Sequence, residues 1–154
     1  MHILFLLLLK LNILRIQLLF HLHGLAKLEE NGRAAIISNG SPLFSGGTSS
    51  GESQIRRYIL ENDLLEAIIA LPGQFFYNTG IGIYIWIYNK NKSPERQNKV
   101  QFIDATEEFV PLRKSLGQKL RELSQDNIRQ ILKWYDDFKE NDHVKIFDKN
   151  EFLY

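Results

Sequence analysis

The segment LPGQFFYNTGIGIYIWIY, residues 71–88, joins a loop rich in aromatic and amide groups to the clearest strand of this chain. Alternate side chains of an extended strand point to opposite faces, which predicts two rows here, and neither row carries a charge. A strand that is apolar on both faces usually lies in a sheet that is covered on both sides, so the segment predicts an α/β architecture. The two rows are Ile81, Ile83, Ile85 and Ile87, and Gly82, Tyr84, Trp86 and Tyr88.

The loop that precedes this strand is the candidate binding site. Flat apolar rings beside amide and hydroxyl groups can stack on a nucleobase and hydrogen-bond it. The alternative is that these rings cap the core where helix, loop and strand meet, which is the commoner role of aromatic clusters. The candidate base-contacting residues are Phe75, Phe76, Tyr77, Asn78, Thr79 and Gly80.

Composition limits the class of protein. A chain of 154 residues is long enough for one domain with its own core. Its formal net charge of +1 gives no global basic surface, so any nucleic-acid contact must come from a local patch or from a partner. The sequence has no cysteine, which excludes disulfides and thiolate metal sites and is compatible with a cytoplasmic location. His21 and His23 lack a nearby carboxylate cluster, so no metal site is predicted.

The first part of the chain changes character near residue 19. Residues 1–19 form a leucine-rich leader, but Lys10 and Arg15 interrupt the apolar run and no basic residue precedes it, which argues against a signal peptide or a membrane helix. We expect this leader to be unrelated to the rest of the chain. The pattern then predicts a helix over residues 20–30 and a short buried strand over residues 33–38.

A Ser/Gly-rich loop over residues 45–51 leads into a helix that runs to about Asn62, and Ser49 and Glu52 have the spacing of a capping box. Such a loop can hold a phosphate, but it lacks the ending of a P-loop, so a flexible surface loop is the preferred interpretation. A further strand is predicted over residues 64–72. The candidate DNA backbone contacts are Arg56, Arg57, Lys90 and Lys92, which would otherwise be solvated surface residues.

The second part begins with a strand over residues 99–104, which we expect to form a hairpin with the strand over residues 81–88. Strands are expected to end at Ala105. Ser124 is predicted to cap a helix over residues 125–139, whose apolar stripe packs on this chain's own sheet or on another subunit. The stripe consists of Ile128, Ile131, Leu132, Tyr135 and Phe138.

Several phrases carry a family resemblance. They are NGRAAIISNG (31–40), LFSGG (43–47), QIRR (54–57), FFYNTGI (75–81), FIDA (102–105), LRKSLG (112–117) and HVKIFD (143–148). With these phrases, the chain from about residue 20 onward closely resembles the modification subunit of type I restriction-modification systems, an adenine-specific DNA methyltransferase. Their number and order make the resemblance specific.

The resemblance implies a Rossmann-like methyltransferase fold that binds S-adenosylmethionine and methylates the exocyclic amino group of adenine. Residues 20–110 would form the second half of that α/β domain, and residues 111–154 would form a segment of C-terminal helices. The aromatic loop would lie beside the pocket for a flipped adenine. The implied partners are DNA, the specificity subunit that reads it and the restriction subunit that cuts it, in the cytoplasm and without a membrane.

Two motifs of that family are missing from this sequence. It contains neither the glycine-containing motif for S-adenosylmethionine nor the Asn-Pro-Pro-Phe/Tyr motif, because no two of its prolines are adjacent. We therefore expect no catalytic residue in this chain, and a fragment that is inactive alone. The alternative is a non-catalytic interaction module that binds the specificity subunit. The four prolines are Pro42, Pro72, Pro94 and Pro111.

Overall fold

A computed structural model of the chain describes residues 17–44, 47, 50–76 and 80–152. Most of the leucine-rich leader and most of the Ser/Gly-rich loop lie outside the described residues, and so does Ser49. Tyr77, Asn78 and Thr79 of the aromatic loop lie outside them as well. The predicted cap at Ser49 is wrong, because the N-cap of the helix over residues 51–61 is Ser50, whose hydroxyl accepts a hydrogen bond from Ser53 N at 3.2 Å.

The described residues form a mixed α/β fold. Helix α1 covers residues 17–27 of the described chain, which overlaps the helix predicted over residues 20–30 but ends three residues earlier. The remaining elements are β1 (Arg33–Asn39), α2 (Ser41–Phe44), α3 (Gly51–Glu61), β2 (Leu65–Leu71), β3 (Ile83–Asn89), β4 (Lys99–Asp104), β5 (Val110–Leu116), β6 (Lys119–Glu122), α4 (Gln125–Asp137) and β7 (Val144–Asp148), with 3-10 turns at Pro94–Arg96 and Lys149–Glu151.

Five strands form one sheet in the order β1-β3-β2-β4-β7. Strand β3 is antiparallel to both of its neighbours, so β1 and β2 run in the same direction, and Trp86 lies between Ile36 on one side and Ile68 on the other. Strand β4 is parallel to β2, and β7 is antiparallel to β4. The carboxyl ends of β1, β2 and β4 therefore share one edge of the sheet, called here the carboxyl edge, and their amino ends share the amino edge.

Helices cover both faces of this sheet, as the uncharged strand predicts. On one face, Leu25 of α1 and Ile59 of α3 pack with Trp86 of β3. On the other face, Ile131 of α4 packs with Ile83 of β3 and with neighbouring strands. Burial of apolar area on both faces provides the main driving force for this arrangement.

Two predictions about strand placement are wrong. The expected hairpin between the strands over residues 81–88 and 99–104 does not form, because β1 and β2 occupy both edges of β3 and β4 pairs with β2 instead. The strand over residues 33–38 is not buried but alternately exposed, with Ile37 56% exposed. This strand, β1, is an edge strand of the described sheet, so no further strand pairs with its outer side there.

The expectation that strands end at Ala105 is also wrong. Strands β5 and β6 form a separate two-stranded hairpin, and β7 joins the main sheet. The C-terminal segment over residues 111–154 thus contains strands besides its one long helix, and α4 ends at Asp137 with Phe138 in the left-handed conformation (φ 46°). Within the part of the chain that the structure describes, no helix has the length and hydropathy needed to cross a bilayer.

Candidate functional site

The aromatic loop leaves the sheet at the end of β2 and returns at the start of β3, so it lies at the carboxyl edge. Its two ends approach closely, because a Cβ atom on Gly73 would lie 3.2 Å from the carbonyl oxygen of Gly80. Gln74 adopts a left-handed backbone (φ 58°), which turns the chain sharply before the rings. The loop therefore has a narrow neck.

Phe75 and Phe76 form an edge-to-face pair with ring centroids 5.6 Å apart and an interplanar angle of 84°. Both side chains are half-buried, and they pack at the margin of the hydrophobic cluster under α4. The rings thus cap the core and also present surface to solvent. The structure brings Phe75, Phe76 and Gly80 to one place.

A hairpin made of β5, β6 and their turn holds the neck of the loop. The backbone N–H groups of Leu120 and Arg121 both donate to the carbonyl oxygen of Gln74, at 3.0 and 3.4 Å. Gln118 Oε1 lies 3.6 Å from the position of a Cβ on Gly80. Lys119 Nζ lies 5.5 Å from the centroid of the Phe75 ring. The hairpin and the aromatic loop therefore form one continuous surface.

Sequence reasoning missed this hairpin. The signal that could have revealed it is Gly117, which takes a left-handed conformation (φ 62°) between two short runs of mixed basic and apolar residues. Glycine at the left-handed position of a short loop is a known hairpin feature.

A cavity of about 260 Å³ lies at the same edge of the sheet. Its one acidic side chain is Asp104, which accepts hydrogen bonds from Thr106 Oγ1 (2.6 Å) and Thr106 N (3.0 Å). These bonds to Thr106 hold the pKa of Asp104 below its ordinary value. The cavity is lined by Ile68, Ala70, Tyr84, Phe102, Ile103, Asp104 and Thr106.

S-adenosylmethionine does not fit this cavity. Its volume lies below the range of about 300–1,000 Å³ that is usual for ligands of that size. The cofactor would need polar partners for its amino, carboxylate and ribose groups, whereas most of the lining is apolar and Asp104 is already hydrogen-bonded.

The two arginines proposed as DNA contacts lie on α3. Arg56 Nη1 donates to the carbonyl oxygen of Pro42 at 3.1 Å, and burial lowers the pKa of Arg56 while Glu52 acts to raise it. Arg57 Nε forms an exposed ion pair with Glu61 at 2.6 Å. Both guanidinium groups thus have partners within the chain.

The two lysines proposed as DNA contacts lie after β3, at the amino edge. Lys90 Nζ donates to the carbonyl oxygen of Leu28 at 2.6 Å. Lys92 has only 2% of its side chain exposed, and its Nζ lies 2.6 Å from Asp63 Oδ1. Burial lowers the pKa of Lys92, and Asp63 acts to raise it. The structure does not bring these lysines to the aromatic loop, and Lys92 lacks the exposure that a phosphate contact needs.

The amino edge contains a buried ionic network that sequence reasoning also missed. Glu66 is 3% exposed, and its Oε1 lies 3.8 Å from Arg96 Nη1. Asn89 and Tyr135 both donate hydrogen bonds to the Glu66 carboxylate. Arg33 Nη2 lies 3.6 Å from the same carboxylate. Glu66 could have been noticed as the one charged residue in the apolar strand LEAIIAL.

Arg96 links this network to α4. Its Nη1 donates to Gln101 Oε1 at 3.0 Å, and its Nη2 donates to the carbonyl oxygen of Tyr135. The guanidinium lies over the rings of Tyr135 and Phe138, 4.5 and 4.4 Å from their centroids. Burial, with a further contribution from Glu66, raises the pKa of Tyr135 to about 12. The network fastens the end of α4 to the sheet.

The two histidines considered as a metal pair do not converge. His21 is buried, its Nδ1 lies 2.6 Å from the Tyr88 hydroxyl, and its ring contacts Trp86 edge-on at 5.0 Å. Burial lowers the pKa of His21 to about 4. His23 is exposed. Among the residues that the structure describes, no group of three or more histidine, aspartate or glutamate side chains is placed to hold a metal ion.

Comparison with known proteins gives a consistent result. The family described as N-6 DNA methylase matches residues 12–151. The chain is 38% identical over 120 residues to the type I restriction enzyme MjaVIII methylase subunit of Methanocaldococcus jannaschii, a match that covers 77% of this chain and 20% of that protein. It is 36% identical over 110 residues to the HindI methylase subunit of Haemophilus influenzae, which covers 71% of this chain and 23% of that protein.

A solved structure shows the same fold. The methyltransferase subunit of the type I restriction-modification system from Streptococcus thermophilus superimposes with a TM-score of 0.74 at 31% identity, covering 88% of this chain and 27% of that chain. The chain thus spans about a fifth of the length of the curated relatives it matches.

Proposed function

The chain belongs to the N-6 DNA methylase family, among the type I restriction enzyme methylase subunits, and we propose that it supplies one wall of the pocket that holds the target adenine of a DNA methyltransferase. This wall is the aromatic loop, with Phe76 as the residue that stacks on the base.

One observation carries this proposal. The half-buried pair of Phe75 and Phe76 is fixed by the core on one side and reaches solvent on the other, at the carboxyl edge of the sheet. Ligands of open α/β sheets bind outside the carboxyl ends of the strands. A ring that is held rigidly at this edge can stack on a base that has left the duplex.

The chemistry on this chain is limited to binding and positioning. Methylation of adenine needs groups that accept hydrogen bonds from the exocyclic amine and hold it in line with the methyl group, and the sequence lacks the Asn-Pro-Pro-Phe/Tyr motif that serves this role in the family. S-adenosylmethionine supplies the methyl group in such enzymes. The present chain therefore acts with residues outside it to complete the pocket.

The partners follow from the same proposal. DNA is the substrate, the specificity subunit selects the site and the restriction subunit cuts, all in the cytoplasm. The candidate contacts of Tyr77, Asn78 and Thr79 with the base, and of Arg56, Arg57 and Lys90 with the DNA backbone, stay predictions. Lys92 is dropped from that set because it is buried in an ion pair.

The test uses a duplex that contains 2-aminopurine opposite an abasic site, because such a base leaves the stack at low cost. Saturating binding of the chain should change the 2-aminopurine fluorescence as the base stacks on Phe76. The Phe76→Ala variant should lose this signal and weaken binding to this duplex roughly tenfold or more, since base–aromatic stacking contributes about 1–3 kcal/mol.

The matched control is Tyr58→Ala, which removes an exposed aromatic side chain from α3. It should leave both the fluorescence and the affinity unchanged. If the Phe76→Ala variant binds and reports as the unmodified chain does, Phe76 is a core residue only and the proposal fails.

A second candidate function rests on α4. Ile131 of this helix is buried against the sheet, whereas the next residue, Leu132, is 53% exposed. Leu132 is the exposed member of the predicted apolar stripe of α4, so this part of the stripe is available to an interaction module that binds the specificity subunit without catalysis. A Leu132→Glu change that abolishes co-purification with that subunit, with normal 2-aminopurine stacking, would favour this second function.

A further inference from the structure

The basic hairpin, defined as residues 110–122, is the most positively charged element next to the aromatic loop. It carries one acidic residue, Glu122. Its basic residues are Arg113, Lys114, Lys119 and Arg121. The chain as a whole has a net charge of only +1, so this hairpin concentrates positive charge locally.

Within the described part of the chain, none of these four basic side chains forms an ion pair. Arg113 and Lys114 are exposed. The Arg121 guanidinium lies 4.2 Å from the centroid of the Phe109 ring, and Lys119 lies over Phe75, so these two are held by rings that leave their charge unneutralised.

The acidic groups that precede the hairpin form no ion pair with its basic side chains in the part of the chain that the structure describes. Glu107 and Glu108 precede it, and Glu108 accepts a hydrogen bond from Asn127 Nδ2 at 2.9 Å, which ties it to α4. Two exposed leucines, Leu116 (57%) and Leu120 (41%), lie at the turn end of the hairpin.

We propose that the basic hairpin binds the phosphate backbone of the DNA strand that carries the target base. This inference rests on the proposed function, because it takes the aromatic loop as the place where the base is held. The bonds from Leu120 N and Arg121 N to Gln74 O fix the hairpin to the neck of that loop. A base stacked on Phe76 brings its own strand to this surface, and the phosphates on either side of the base meet the basic side chains.

Arg113 and Lys114 make the main phosphate contacts, since they are exposed and free of ion pairs within the described residues. Lysine and arginine contacts to phosphates position a protein on DNA without reading its sequence. They also release condensed counterions, so each contact lowers the slope of log K against log salt concentration by about 0.9 for duplex DNA. The salt slope therefore counts the contacts directly.

The experiment measures binding of the chain to a fluorescein-labelled duplex by anisotropy, over a series of NaCl concentrations. The double variant R113Q/K114Q should bind roughly tenfold to a hundredfold more weakly at 0.1 M NaCl, and its salt slope should be less negative by about two. The control K133Q/K145Q removes the same charge from exposed lysines on α4 and β7 and should change neither quantity.

Two further measurements separate this inference from the proposed function. The hairpin variant at saturating concentration should still change the 2-aminopurine fluorescence, and Phe76→Ala should keep the full salt slope. A salt slope that is equal in R113Q/K114Q and in the unmodified chain overturns the inference, and so does an unmodified chain that fails to bind DNA at 20 mM NaCl. In a third outcome, R113Q/K114Q changes the salt slope as expected, but Phe76→Ala changes the 2-aminopurine fluorescence as much as the unmodified chain does. That outcome overturns the proposed function alone.

Discussion

The charged side chains at the two edges of the sheet differ in how they are paired. At the amino edge, Glu66 lies between two arginines and Lys92 pairs with Asp63, so the buried charges there are neutralised inside the protein. At the carboxyl edge, the basic hairpin has no ion pair among the described residues. A buried charge without a partner is very costly, whereas an exposed one remains available to a ligand. The amino edge and the carboxyl edge therefore differ in whether their charges are paired within the protein, and not in how many charges they carry.

Helix α4 connects these two regions. Its N-cap residue, Ser124, lies two residues after the basic hairpin, and its last turn contributes Tyr135 to the Glu66 network. The hydrogen bond from Tyr135 to Glu66 thus holds the end of α4 on the sheet at the amino edge. The first turn of the same helix is joined to the residues before the basic hairpin by the bond from Asn127 to Glu108. This division predicts that substitutions at the amino edge affect folding, and that substitutions on the hairpin affect DNA binding.

The largest expected effect comes from breaking the amino-edge network. Arg96→Ala leaves the Glu66 carboxylate buried with less compensation and removes the bond to the Tyr135 carbonyl. Loss of one partner from a buried ion pair typically costs about 3–5 kcal/mol. We expect a decrease of that size in the free energy of unfolding, measured by urea denaturation. Arg113→Ala on the hairpin should stay within about 0.5 kcal/mol of the unmodified chain.

The double variant Glu66→Gln with Arg96→Met tests whether the buried Glu66 carboxylate causes the loss of stability expected in Arg96→Ala. Removing both charges relieves the cost of the isolated carboxylate, so this variant should be more stable than Arg96→Ala alone. If the single and double variants are equally unstable, lost packing of the arginine over Tyr135 and Phe138 explains the effect, and the two edges do not differ through charge pairing.

The sequence predicted the elements whose signals are local. The two uncharged rows of β3 follow from a period of two, and the start of α4 follows from Ser124, whose side chain forms a capping box with Asn127. The layered α/β class follows from β3, because a strand apolar on both faces needs cover on both. The two phenylalanines of the candidate site were proposed from their ring chemistry together with the family resemblance, and their contact with a base stays a prediction.

What the sequence could not predict depends on contacts between distant residues. Whether β4 pairs with β3 or with β2 depends on which strand edges are free, and β1 occupies one edge of β3 from about 50 residues away. The partners of Glu66 likewise come from four separate elements. The basic hairpin was missed because its strands are short and the half-buried residues of β6 are the basic Lys119 and Arg121, so no apolar row marks the buried side of the strand.

A smaller effect on the free energy of unfolding is expected from His21, a buried side chain that is neutral and not paired with a charge. The unfolded His21 takes up a proton near its ordinary pKa of 6.5, whereas the folded one stays neutral down to about 4. The unfolded state therefore binds more protons between these values, so stability is complete above pH 6.5 and falls as the pH is lowered toward 4. The loss amounts to about 3 kcal/mol at most, measured as the pH dependence of urea unfolding between pH 7.5 and 5.

The His21→Gln variant should lose this pH dependence, although its stability at pH 7.5 decreases through the altered contact with Tyr88. The control His23→Gln, at an exposed position two residues later, should retain it. An unchanged pH dependence in His21→Gln would assign the acid lability to other groups.

The smallest expected effect tests whether α4 carries stability from one edge to the other. Ser124→Ala removes the hydroxyl that accepts a hydrogen bond from Asn127 N at 3.1 Å, and loss of such a cap costs about 1 kcal/mol. Ser93→Ala is the matched control, because Ser93 precedes a 3-10 turn without a side-chain cap bond. If the two edges open separately, hydrogen exchange in Ser124→Ala should accelerate in the basic hairpin and the first turn of α4, while the amides of β2 near Glu66 keep their protection. Equal acceleration at both edges would mean that the sheet opens as one unit, and that the contrast between the edges lies in their charges and not in their local stability.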